Sequence, residues 1–272
     1  MAYTDNCDLY AAFHEDGINL VIRHIMRQRP SLFNYATANL AKNQEMWCSP
    51  VHYTSDVQRY GNPLFTVLSP LPVLGADSPP VGLDFIVQLT DAKIDFFPSN
   101  AIKLPAELNP PLPKQHFALE FRICGSIACP SDEEVSSITP SPPKPSERGQ
   151  PPPPQVVLRG RTHCFCLMVY VVGHFELTTI AGTRLYLGKV DGLDIVDIEP
   201  DALEENLVCY LKTTVNVLLR EKLTIPMDKF FLSFPLFNLA TVTLSPTPNP
   251  PIPNNPAVED DQLKGFITVT VV

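Results

Sequence analysis

The sequence predicts an α+β protein in which a strongly curved antiparallel β-sheet wraps around two long amphipathic helices. Three observations lead there. An apolar stripe at helical spacing recurs near each end of the chain. Six or more other segments show a two-residue apolar period. Turns link most of those segments, which favours antiparallel neighbours.

The later helix is the more clearly written. It covers 201–223, DALEENLVCYLKTTVNVLLREKL. Leu203, Leu207, Leu211, Val215 and Leu218 fall on one stripe, while Glu204, Glu205, Lys212, Arg220 and Lys222 fall mainly opposite. Pro200 suits a helix start, and Asp201, Glu204 and Glu205 complement the positive end of the dipole. Arg220 and Lys222 complement the far end, and Pro226 stops continuation. The earlier helix covers 13–28, FHEDGINLVIRHIMRQ, with Ile18, Val21, Ile22 and Ile25 as its stripe and Pro30 as its end. Ile18-Asn19-Leu20-Val21-Ile22-Arg23 matches Val215-Asn216-Val217-Leu218-Leu219-Arg220 in pattern. Six residues do not decide between an internal pseudo-repeat and two helices of a common type.

Residues 34–80 carry little periodicity and read as a long connection with short strands. Leu83, Phe85, Val87 and Leu89 then alternate with Asp84, Ile86, Gln88 and Thr90, and the strand runs to Pro98. Phe117, Leu119, Phe121 and Ile123 define the apolar face of the next strand. From 156 to 172 both faces are apolar, so this strand should be central, with Gly173 as a bend. Turns are expected at Ala181-Gly182 and Asp191-Gly192. Strands at 230–244 and 266–272 close the chain. The whole of 1–272 reads as a single domain. Residues 131–155 form a proline-rich flexible insert and 245–256 a second proline-rich loop.

A net charge of −9 argues against a nucleic-acid partner, which needs Lys and Arg for phosphates. No run reaches the length of a membrane-spanning helix, and the first residues show no signal peptide. Cytoplasmic residence, or export without a leader of the usual kind, is therefore expected. The 7 cysteines are an odd count, read as mostly free thiols in a reducing compartment.

His163, Cys164 and Cys166 make the most metal-like cluster, but in a strand Cys164 and Cys166 point one way and His163 the other, which leaves too few converging ligands. His14, His24, His52, His116 and His174 are scattered. No dinucleotide, phosphate-loop, nucleophile-elbow or zincin motif is present. The expectation is a non-enzyme without cofactor or metal.

The segment HEDGINLVIRHIM, the strands at 81–97, 116–128 and 156–178, and GLDIVDIEPDALEENLVCYLKTTVNVLLREKLTIP together resemble the TULIP superfamily of tubular lipid-binding domains. That superfamily includes bactericidal/permeability-increasing protein, other lipid-transfer proteins and accessory proteins of clostridial neurotoxin clusters. The resemblance rests on the order of patterns over nearly the whole chain. It implies an apolar groove between helix and sheet that binds a lipid or fatty-acyl chain. Its lining falls on Ile18, Val21, Ile22 and Ile25 and on Leu207, Leu211, Val215 and Leu218. The alternative is a structural module of a toxin complex or injection apparatus, with a filled core and protein partners engaged through the proline-rich loops. The chain departs from secreted members in lacking an evident leader.

Overall fold

The computed structural model describes residues 5–60, 63–77, 80–98, 101–129, 156–158, 161–180, 183–199, 225–226, 233–236, 240–247 and 252–272. The predicted helix at 201–223 and its stripe Leu207, Leu211, Val215 and Leu218 lie outside these residues, as does the insert at 131–155.

The chain opens with β1 (Leu9–His14) and α1 (Glu15–Gln28). β2 (Asn34–Thr37), α2 (Ala38–Lys42), α3 (Ser55–Tyr60), β3 (Phe65–Val67), β4 (Leu71–Asp77), β5 (Pro80–Leu83) and β6 (Phe85–Phe96) follow. Next come β7 (His116–Cys129), β8 (Val156–Leu158), β9 (Arg161–Thr162), β10 (Phe165–Ile180) and β11 (Thr183–Glu199). The last strands are β12 (Ile225–Pro226), β13 (Ser233–Leu236), β14 (Ala240–Pro246), β15 (Ala257–Glu259) and β16 (Gln262–Val271).

These strands form three sheets. The largest runs β12-β11-β10-β7-β6-β2-β3. A second runs β1-β16-β14-β13, with β15 on β16, and a third runs β4-β5-β8. Neighbours are antiparallel except β2 with β3 and β5 with β8. The antiparallel reading of the long strands stands, and β10 is central between β7 and β11, burying Leu167, Tyr170, Val171 and Val172.

The expected architecture is corrected. The fold is mainly β. The described helices have 14, 5 and 6 residues, and among the described residues no sheet curls around a helix pair: each sheet is an open path with two edges. The sequence predicts that the apolar stripe of this helix faces the concave side of a wrapping sheet. Instead α1 lies along β6 on a narrow side. Glu15 is buried and Ile18, Asn19, Ile22 and Met26 are half-buried, whereas Leu20, Val21 and Ile25 are 60 %, 56 % and 39 % exposed. The stripe expected to line a lipid groove is thus divided: Ile18 packs on Phe96, Phe117 and Val258, and Val21 and Ile25 face solvent. The likeness to bactericidal/permeability-increasing protein drawn from two such helices falls with this geometry.

The face of β6 is also inverted. Asp84, Ile86 and Gln88 are buried and Val87 is 42 % exposed. Gln88 is accommodated because its amide meets the Ser49 backbone in both directions, accepting from Ser49 N at 3.0 Å and donating to Ser49 O at 2.8 Å. Beneath it, Ala36, Leu40, Leu64 and Ile86 form one buried cluster.

The cysteines are corrected as well. Cys48 bonds to Cys164 and Cys124 bonds to Cys166. The second bridge follows from register, because Cys166 stands directly opposite Cys124 between β10 and β7. No helix among the described residues is long and apolar enough to cross a membrane.

Candidate metal centre

The antiparallel register that places Cys124 opposite Cys166 also places His116 opposite His174. Directly paired residues in adjacent strands share a sheet face. The two rings therefore meet, with centroids 5.4 Å apart and planes inclined by 48°.

Asp191 reaches the same spot through a β-bulge. Between β10 and β11 the pairing steps from Val172↔Gly192 to Gly173↔Val190, so Asp191 is the extra residue on its strand. A bulge re-aims the side chain it carries. Gly173 is what allows the two backbones to approach here: a Cβ at that position would lie 2.3 Å from Lys189 O and 2.9 Å from Phe117 Cζ. The sequence-predicted turn at Asp191-Gly192 is this bulge within β11, not a chain reversal.

Asp191 Oδ2 lies 2.7 Å from His174 Nδ1 and 3.4 Å from His116 Nε2. His116 Nδ1 is 2.8 Å from Lys114 O, a distance at which it donates to the carbonyl. That hydrogen bond leaves the Nε2 lone pair turned toward Asp191 and fixes the ring. The His116, His174 and Asp191 side chains are 25 %, 31 % and 38 % exposed, so the cluster opens to solvent. Beside it on the same strands, Glu176 pairs with Lys189 and His174 stands opposite Lys189 in register.

One ligand atom from each of the three residues lies within 4.8 Å of the others. Zinc bonds of about 2.0–2.1 Å to nitrogen and oxygen place tetrahedral neighbours about 3.3 Å apart. The His116–Asp191 separation of 3.4 Å already has that value. The shorter His174–Asp191 contact would open by roughly 0.6 Å when a cation replaces the shared proton. Two imidazoles and one carboxylate suit a borderline divalent ion, and three protein ligands leave a coordination position toward water.

Sequence reading missed this set. His116 and His174 are 58 positions apart by number, and only strand pairing joins them. The signal available was His116 at the start of one alternating strand and His174 next to Gly173 in another. The cluster weighed and set aside in the sequence, His163 with Cys164 and Cys166, offers no thiolate ligand, since both thiols are in disulfides. Of the groove-lining residues, Ile18 packs in the cluster that holds Phe117 and Phe175, the chain neighbours of His116 and His174, Ile22 is half-buried, and Val21 and Ile25 face solvent. A scan against protein-family models found no match, and a search of curated proteins returned no significant match.

Proposed function

We propose that this protein binds a divalent transition-metal cation, with zinc as the reference ion, through His116, His174 and Asp191. The observation that supports it is the convergence of two imidazoles and a carboxylate on one solvent-open point, across three strands, by register and a bulge. The cation would tie the start of β7 to β10 and β11 and offer one exchangeable position to a small ligand or a partner's side chain.

Calorimetric titration of zinc into chelator-treated protein tests this. One equivalent with micromolar or tighter affinity is expected, with His116→Ala, His174→Ala and Asp191→Ala each losing at least about tenfold. Undiminished binding in the triple variant would refute the assignment.

Assembly through a protein surface is the second reading. It is favoured by Leu20, Val21 and Ile25, an apolar strip of α1 turned to solvent. Sedimentation of the protein and of Val21→Glu tests whether that strip drives self-association.

A further inference from the structure

A second site of different chemistry lies between α2 and the β3 end of the large sheet. An open cleft of about 400 Å³ is lined by Thr37, Asn39, Lys42, Val67, Leu68 and Asp84, among others. That volume is at the small-molecule end of the range for ligand pockets.

Asp84 is the unusual member. It lies between β5 and β6 and retains 2 % exposure. Among the described residues its carboxylate receives one side-chain hydrogen bond, from Asn39 Nδ2 to Oδ2 at 3.1 Å. A neutral amide is weak compensation for a buried carboxylate, which has lone pairs to spare and favours a cationic partner. Lys42 stands on the same helix face as Asn39, three residues on, and is exposed. Val67 and Leu68 form the apolar wall, and Leu68 is 90 % exposed at its rim. A buried negative group, an exposed positive group and an apolar wall in one small cleft match a zwitterion with an aliphatic body.

We propose that this cleft binds a free α-amino acid with an aliphatic side chain, its ammonium seated on Asp84, its carboxylate facing Lys42 and its side chain against Val67 and Leu68. The site is separate from the histidine cluster, so either can fail alone. Saturation-transfer NMR with L-leucine, N-acetyl-leucine and leucine methyl ester as probes reads it. L-leucine is expected to saturate. N-acetyl-leucine, which lacks the ammonium, should bind at least about tenfold more weakly. Asp84→Asn should abolish the L-leucine signal. Lys42→Gln, a surface change that leaves the buried groups in place, should weaken L-leucine by about tenfold and leave the methyl ester unchanged. Absence of an L-leucine signal, equal binding of N-acetyl-leucine, or equal L-leucine binding by Lys42→Gln would each overturn the proposal.

Discussion

Asn19 grips the Ile94 backbone from both directions: its Nδ2 donates to Ile94 O at 2.8 Å, and Ile94 N donates to its Oδ1 at 2.8 Å. A side-chain amide has the donor–acceptor geometry of a peptide group, so Asn19 acts as one more rung on the open side of β6. Ile18 packs beside that rung on Phe96, Phe117 and Val258, Ile22 is half-buried, and α1 is held by one face. The apolar-Asn-x-apolar-apolar pattern of this helix is therefore a docking device for a strand.

Asn19→Ala should cost about 2 kcal/mol. It removes two hydrogen bonds and leaves the Ile94 N–H and C=O facing an apolar contact. Urea unfolding measures it. Asn19→Asp should be no rescue, since a carboxylate keeps the acceptor and loses the donor. A loss below about 0.5 kcal/mol for Asn19→Ala would show that apolar packing alone docks the helix.

Glu15, the first residue of α1, is buried where the helix meets β6 and the β15–β16 turn. Its Oε2 accepts from Phe96 N at 2.7 Å, and its own N–H donates to Asp261 O at 3.0 Å. Burial, and next the Asp95 charge, push its carboxyl up to about 7, against the lowering effect of the Phe96 N–H. A carboxyl raised in this way binds its proton more tightly in the folded chain. Its stabilising contribution is complete below the unfolded value of 4.5 and is lost as pH rises through about 7. Glu15→Gln is neutral throughout and still accepts from Phe96. Discounted for solvent screening, it should gain on the order of 1–2 kcal/mol over the wild type at pH 8 and nothing at pH 4.5. Unfolding curves at the two pH values decide it, and a gain that does not depend on pH would contradict the sign.

Some of this was legible in the chain and some was not, for reasons that differ by residue. The centrality of β10 followed from apolar residues on both faces, and the existence of α1 from the spacing of Ile18, Val21, Ile22 and Ile25, because both signals are local, although Val21 and Ile25 face solvent. The buried face of β6 was not readable from its apolar residues. Gln88 goes inward since the Ser49 backbone, 39 residues earlier, satisfies it. The two disulfides and the two-histidine pair depend on which strand lies beside which, and period-two alternation is the same for every register. Asp191-Gly192 carries turn chemistry, and only the continuing partner strand shows that it makes a bulge.

Two disulfides should contribute measurably. The loops they close span sequence separations of 116 and 42 residues. Chain-entropy estimates give about 4–5 kcal/mol for each at most, with less realised. Reduction should lower the urea midpoint, and mass spectrometry after alkylation under native, non-reducing conditions should leave Cys48, Cys124, Cys164 and Cys166 unmodified. Alkylation of these four without reductant would show the bridges absent.

Gly173→Ala separates the bulge from the ligands it serves. The added methyl would meet Lys189 O at 2.3 Å, and backbone cannot swing aside as a side-chain tip does. β10 and β11 must part locally, at a cost of about 1–3 kcal/mol, in the range of overpacking. The same movement carries Asp191, since its position is set by the step from Val172↔Gly192 to Gly173↔Val190. On the β7 side the methyl meets Phe117 Cζ, a side-chain tip that can move aside, so His116 and His174 remain paired through β7 and β10. Zinc affinity should therefore fall by about tenfold or more in a variant that still holds both imidazoles, and it should fall to the level of Asp191→Ala. Titration of Gly173→Ala beside Asp191→Ala checks this, with circular dichroism confirming the fold. A folded Gly173→Ala that binds zinc as the wild type does would show that the bulge has no part in aiming the carboxylate.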